Sequence, residues 1–324
     1  MHTNAEKPQA PAARRILVTG ASGFIGRRVV LALRGSGDEI HTVQHTARQM
    51  SDSRNHTVNL MEPPQVDRLM ERVRPTHLMH LAWYAEHERF WTSPLNLDWV
   101  AASLHLFQSF VKHGGQRAIF SGSCAEYDWS VAATPASPLS HTKATQASRP
   151  RTNLTEDSPS NPNTLYGVCK NSLRQIIEKF SPIPVAWGRI FFLYGPGEHP
   201  DRLIPSIVNP LRNDQPAVVR SGSHIRNLMH VDDVARALVT ILNSPATGIV
   251  NIAADDAVSL GDAARLLGEL TGRSHLLTIE QAEGTPQNPL VLTADTAKLV
   301  SLGFVPRYSL REGLQTLLPS RESA

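Results

Sequence analysis

The sequence predicts an α/β protein, a doubly wound parallel sheet with a smaller C-terminal lobe. Three observations lead there. Short apolar strands alternate with amphipathic helices through the first half of the chain. Three glycines, Gly20, Gly23 and Gly26, separate the first strand from the first helix. Beyond about residue 190 the elements become shorter and less regular. Strand–helix alternation implies parallel βαβ units, and right-handed crossovers then cover both faces of the sheet. A chain of 324 residues is long enough for such a sheet and a second lobe.

Each element has its own signal. "RRILVTG", residues 14–20, is a short apolar strand running into glycine. "FIGRRVVLALRGSG" has helical spacing and closes on glycine. "DEIHTVQH" alternates like a second strand, and "HTVNL" reads as a third. "PPQVDRLMERVRP" is a helix with proline at both ends, followed by a fourth strand, "THLMHLAW". "LDWVAASLHLFQSFVKHGG" is a long amphipathic helix stopped by Gly-Gly, and "RAIFSGS" is the next strand. Residues 128–163 are rich in Ser, Thr, Ala and Pro and have no period, which predicts a lid or a disordered insert. Helix resumes at "TLYGVCKNSLRQIIEKF", and "IPVAWGRIFFLYGPGEHP" runs from strand into loop. The expected organisation is a disordered tail over 1–14 and a dinucleotide-binding domain over 15–190, to which 229–253 returns. The substrate lobe takes 191–228 and 254–324, with ligands in the cleft between. Asp232 and Asp233 are expected to cap the helix "VARALVTILN".

Composition narrows the function. The formal net charge is +3 with dispersed Lys and Arg, which argues against a nucleic-acid partner. The pairs Arg14–Arg15 and Arg27–Arg28 read as solvated surface. Two cysteines, Cys124 and Cys169, make no disulfide framework and point to a reducing compartment. No apolar run is long enough to span a bilayer, and the first residues lack the core of a signal peptide. A cytoplasmic protein without a membrane partner is the expectation. The 14 histidines show no zinc spacing, and His77 and His80 fall on opposite faces of a strand, so no metal is expected.

The turn "TGASGFIG" carries chemistry. One glycine permits the tight turn, one lets a pyrophosphate approach the backbone, and one lets helix pack on strand. The helix N-terminus then offers free N–H groups to the phosphates. A carboxylate ending the second strand would hold the ribose of NAD; here stand Gln44 and His45, with Arg48 close behind. That pattern points to NADP, with NAD as the alternative. Tyr166 and Lys170 in "YGVCK" share one helix face, where an ammonium would lower the phenol pKa and ready it for proton transfer.

"VTGASGFIG", "HLAW", "FSGSCAEYD", "TEDSPSNPNTLYGVCK", "GRIFFLYGPGE", "RNLMHVDDVARAL" and "YSLREGL" occur in the order seen in the extended short-chain dehydrogenase/reductase superfamily. Over roughly 15–315 the chain resembles its NAD(P)-dependent nucleotide-sugar epimerases, dehydratases and ketoreductases. The resemblance implies a Rossmann-type domain, a nucleotide-sugar lobe and the catalytic set Ser123, Tyr166 and Lys170. Tyr166 would move the proton, Lys170 would hold the nicotinamide ribose and lower the Tyr166 pKa, and Ser123 would orient the carbonyl. Cofactor contacts would come from Gly20, Gly23, Phe24, Ile25, Gly26, His45, Arg48, Asn59, Leu60, Leu81, Ala82, Tyr166 and Lys170. Trp83, Tyr84, Ser123, Cys124 and Arg226 would meet the substrate, Arg226 through its diphosphate.

Departures from the family pattern refine this. Sugar 4,6-dehydratases carry an Asp-Glu pair after the catalytic hydroxyl; Cys124 and Ala125 stand there, which argues against dehydration. The Cys–His pair of 3,5-epimerase/4-reductases is matched only by Cys124, because Arg202 holds the histidine position and His199 is displaced. Phe192 replaces a common Asn, and Trp83 and Tyr84 replace small residues, so the sugar pocket is reshaped. The expected activity is an NADP(H)-dependent reductase of a nucleotide-linked 4-keto (deoxy)sugar. The alternatives are a nucleotide-sugar 4-epimerase with tightly bound NAD, a non-catalytic NADP-binding regulator, which would usually lack the Tyr–Lys pair, and a reductase of a small non-sugar ketone. A homodimer through helices at 93–113 and 164–180 is the family expectation.

Overall fold

A computed structural model describes residues 13–45, 54–132 and 153–319. Arg48, residues 1–12 and residues 133–152 of the expected lid lie outside the described residues. The first half runs β1 (Arg15–Thr19), α1 (Gly26–Leu33), β2 (Glu39–Gln44), β3 (Asn55–Thr57), α2 (Pro63–Val73), β4 (His77–His80), α3 (Leu95–Lys112) and β5 (Arg117–Ser123). A 3-10 turn (Cys124–Glu126) and α4 (Trp129–Ala132) precede α5 (Leu165–Phe180) and β6 (Val185–Ile190). Then come β7 (Phe192–Tyr194), α6 (Leu203–Arg212), β8 (Ala217–Val219), β9 (Ile225–Arg226), β10 (Leu228–His230), α7 (Val231–Asn243) and β11 (Gly248–Ile252). The chain closes with β12 (Val258–Ser259), α8 (Leu260–Thr271), β13 (Leu277–Ile279), β14 (Val291–Leu292), α9 (Ala297–Ser301) and α10 (Leu310–Gln315).

Seven strands form one sheet in the order β11–β6–β5–β4–β1–β2–β3. Every neighbouring pair is parallel. Both faces are buried, which explains strands that read as continuous apolar runs. Ile16, Val18, Met79 and Ile119 face α1 and α7 in one core. Leu17, Leu78, Ala118 and Phe120 face α2, α3 and α5 in the other. A third core, around Ile204, Ile207, Leu211, Ala263, Leu267 and Leu314, holds α6, α8 and α10 together with the small sheets of the C-terminal half. Strand order reverses between β1 and β4, so the crevice of this sheet opens at their C-terminal ends.

Local chemistry sets the boundaries. α2 begins on two prolines and ends where Arg74 turns left-handed (φ 47°) before Pro75. Ser259 caps α8, and Gly272 (φ 71°) stops it. The fourth strand ends at His80, three residues before the apolar run does. Thr19 Oγ1 accepts from the Leu81 and Ala82 amides (3.2 and 3.3 Å), which draws the chain off the sheet and across the end of β1.

Several sequence expectations need correction. His230, accepting from the Asp232 amide, caps α7. Asp233 is buried instead and accepts from the Arg307 and Tyr308 amides and from Arg236, while Asp232 pairs with Arg28 at 3.3 Å. The paired arginines are not mere solvated surface. Arg27 and Arg28 donate to the Pro196 and Gly197 carbonyls and tie that loop to α1. Arg14 pairs with Asp38, and Arg15 donates to the Arg74 carbonyl. Among the described residues no helix is long and apolar enough to cross a membrane.

Candidate active site

The glycine turn sits at the crevice. Gly20 is left-handed (φ 69°), and a Cβ there would lie 2.8 Å from the Ala82 nitrogen. A Cβ on Gly26 would lie 2.0 Å from the Gly20 carbonyl oxygen. The Gly23 amide closes the turn on that same oxygen at 3.0 Å. Ile25 precedes α1 without a side-chain cap, so no side chain competes for the first-turn N–H groups. A backbone cradle of this shape, backed by a helix dipole, fits a pyrophosphate. Phe24 lies beneath Arg27, 5.7 Å from its ring centroid. His45 is exposed at the end of β2. Asn59 and Leu60 are otherwise engaged: Asn59 Oδ1 accepts from the Met61 amide, and Leu60 packs in the core against α2 and α3.

Ser123 ends β5 and caps the 3-10 turn, accepting from the Ala125 amide at 3.2 Å. Tyr166 lies in the first turn of α5, whose start is fixed by Thr164 accepting from Gly167. The Ser123 hydroxyl lies close enough to act on the Tyr166 phenol. Burial pushes that phenol well above its ordinary range, and the Ser123 hydroxyl and the Arg202 charge oppose the rise only in part. The expected lowering by Lys170 is therefore not what the geometry provides. Lys170 is buried, donates from Nζ to the Ser121 carbonyl at 2.8 Å, and faces the Trp83 ring at 4.0 Å. Desolvation brings its pKa down to about 7, against the pull of Glu126.

Glu126 faces inward. Its carboxylate accepts from Ser123 N, Trp187 Nε1 and Arg189 Nε, and both members of the Glu126–Arg189 pair are fully buried. A buried pair of this kind gains little over apolar packing but costs roughly 3–5 kcal/mol to break from one side. Cys124 is buried beside Tyr127, Leu154, Phe191 and Leu292, and burial pushes its thiol up to about 12. Arg226 is also buried. Its donors go to Ile225 O, Leu290 O, Pro289 O and Asn288 Oδ1, it stacks 5.0 Å from the Phe192 ring centroid, and burial lowers it to about 10. Trp83 faces Lys170, with Nε1 on Asn96 Oδ1 at 2.8 Å, whereas the Tyr84 hydroxyl bonds Glu86 out at the surface.

The structure thus brings Gly20, Gly23, Gly26 and Ala82 together at one end of the crevice, and Ser123, Cys124, Tyr166, Lys170 and Trp83 near the ends of β4 and β5. Tyr84 stands apart. Sequence reading passed over the aromatic wall of the site. Phe90 and Trp91 meet the Tyr166 ring edge-on at 5.0 and 5.9 Å, and Trp129 meets Trp91 at 6.3 Å. Arg202 lies 5.4 Å from the Phe90 ring centroid. The available signal was the aromatic density of "RFWTSP" and "DWS", in the segments that follow β4 and β5. His80 is a second omission. It bridges Thr19 Oγ1 (2.7 Å) and Ser103 Oγ (2.8 Å), and burial holds its pKa down at about 3, so it is a neutral polar tie between β1, β4 and α3. Among the described residues no group of His, Cys, Asp and Glu could hold a metal ion.

Known proteins resemble this chain over most of its length. The mouse dTDP-D-glucose 4,6-dehydratase is 23% identical, covering 95% of this chain and 88% of its own. The structure of MoeE5 bound to UDP-glucuronic acid and NAD is 26% identical, with a TM-score of 0.75, covering 94% of this chain and 97% of its own. The NAD-bound UDP-glucose 4-epimerase of Thermus thermophilus shares the fold at 20% identity and a TM-score of 0.74, over 93% of this chain and 97% of its own. Residues 16–253, from the first strand through the last strand of the large sheet, match the family model of the NAD dependent epimerase/dehydratase family, and the chain belongs to that family.

Proposed function

We propose that the protein is an NADP(H)-dependent ketoreductase acting on a nucleotide-linked 4-keto sugar, deoxysugars included. One observation carries the reading: the Ser123 hydroxyl and the Tyr166 phenol meet at the edge of the crevice, and the neighbouring carboxylate, Glu126, is already bound to Arg189. A bound nicotinamide would supply or accept the hydride. Tyr166 gives its proton to the carbonyl oxygen as the alcohol forms, and takes it back in the reverse direction. Ser123 holds the same oxygen in line. Gly20, Gly23, Phe24, Ile25 and Gly26 would hold the pyrophosphate, with Leu81 and Ala82 beside them and Lys170 on the nicotinamide ribose.

The neighbours of Ser123 favour reduction over elimination of water, which needs an acid at the sugar. The Cys124 thiol keeps its proton, Ala125 has none to give, and Glu126 is committed to Arg189. The preference for NADP rests on the end of β2, where Gln44 and His45 offer no carboxylate to repel a 2′-phosphate. A second reading, a 4-epimerase that retains NAD, is favoured by the NAD found in MoeE5. A homodimer through α3 and α5 belongs to the same proposal. These helices pack on each other, and Leu97, Val168, Ile176 and Phe180 stay exposed on them.

One experiment separates the readings. The purified protein is denatured, any released dinucleotide is identified, and NADPH and NADH are titrated into the emptied protein. NADPH oxidation is then followed with 4-keto-6-deoxy nucleotide sugars, for the wild type and Tyr166→Phe. The expectation is an empty site, a preference for NADPH, and turnover reduced at least about a hundredfold in Tyr166→Phe with NADPH affinity kept. Tightly retained NAD would establish the epimerase reading, and near-normal turnover in Tyr166→Phe would remove the assignment of Tyr166.

A further inference from the structure

Lys170 has an unusual neighbour for a buried ammonium. It is 3% exposed, has three N–H groups to place, and places one on the Ser121 carbonyl. Glu126, the carboxylate that acts on it, is already paired with Arg189. His80 faces it from β4 as a neutral ring. The Trp83 indole lies over Nζ at 4.0 Å.

That indole is pinned in place. Nε1 donates to Asn96 Oδ1, and fully buried Asn96 is itself held by donating to the Phe90 and Ser93 carbonyls at 2.7 and 2.9 Å. Trp99 packs against it as well, 6.0 Å between ring centroids. A π face attracts a cation, most strongly where water is excluded.

We propose that Trp83 is a positioning residue for Lys170: its indole, fixed by Asn96, is the ammonium's second partner and sets where Nζ points. Trp83 then acts on the reaction through Lys170 rather than by lining the sugar pocket. For catalysis the proposal rests on Lys170 being a working member of the site. The Trp83–Lys170 contact itself can be tested without substrate.

The full-length protein, labelled with 13C at lysine, contains six lysines, so the Lys170 signal can be assigned by its loss in Lys170→Met. Its shift is followed against pH in the wild type, Trp83→Phe and Trp83→Leu. Removing the π face while keeping an apolar side chain should lower the Lys170 midpoint by about one pH unit, a tenfold change in proton affinity, and Trp83→Phe should restore most of it. An unchanged midpoint in Trp83→Leu would overturn the proposal. So would a rise, which would make the ring a plug against water. Should Trp83→Leu not fold, biosynthetic replacement of the tryptophans by fluorotryptophans weakens the π face without changing its shape. The midpoint must then fall as fluorines are added. NADPH titration of the same samples reads the functional assignment separately: loss of NADPH binding in the wild type sinks that assignment and leaves the Lys170 shift standing.

Discussion

Glu198 shows how burial alone can tune a residue. Its Oε2 is buried without a hydrogen-bond partner, and desolvation raises its pKa from 4.5 to about 8 despite the charge of Arg202. The folded chain therefore keeps a proton between those values that the unfolded chain releases. With the folded pKa raised, the stability linked to Glu198 is complete below about pH 4.5 and is lost as pH rises through 8. Glu198→Gln cannot titrate. Its melting temperature should gain on the wild type as pH is raised from 5 to 8.5; an equal difference at both ends would refute the buried carboxyl. Nothing in the sequence separates Glu198 from any other surface glutamate, because the Gly195–Gly197 loop that surrounds it is held down by Arg27 and Arg28, some 170 residues away. Ser123, Tyr166 and Lys170 were legible as residues. The direction of the Tyr166 pKa was not, because it is set by how deeply the fold buries the phenol.

At the scale of elements, the glycine turn is the most legible feature and the least tolerant. Gly26 has no room for a methyl group, since its Cβ would fall 2.0 Å from the Gly20 carbonyl oxygen. Gly35 is left-handed (φ 84°) with nothing within 4 Å of such a Cβ. Gly26→Ala should thus destabilise the protein by about 1–3 kcal/mol through forced backbone movement and weaken NADPH binding at least tenfold. Gly35→Ala should bring only the milder strain of a left-handed alanine and leave NADPH affinity alone. Calorimetry and NADPH titration of both variants test this, and equal effects would show that the turn is not a steric cradle. The βα elements were readable because period and punctuation lie within ten or twenty residues. Two-residue strands such as β9, β12 and β14 were not, since their partners are 32 to 66 residues apart and carry no local pattern.

For the whole molecule, the exposed apolar side chains on α3 and α5 bear on assembly. Val168, Ile176 and Phe180 recur along one side of α5, with Leu97 exposed on adjacent α3. A charge there should oppose burial against a second copy. Ile176→Glu is expected to halve the mass measured by light scattering while melting like the wild type; a monomeric wild type would end the dimer proposal. The sequence by itself determined the parallel α/β sheet and the glycine turn, because each is written in short-range spacing; the proposed Ser123–Tyr166–Lys170 set rests on the order of family motifs along the chain. Tertiary structure alone decided that Glu126 turns inward onto Arg189, that Trp83 covers Lys170 and that the Arg226 fork closes on residues 288–290. The physical reason is the same in each case: where a buried charge points depends on which distant partner solvates it once water is gone.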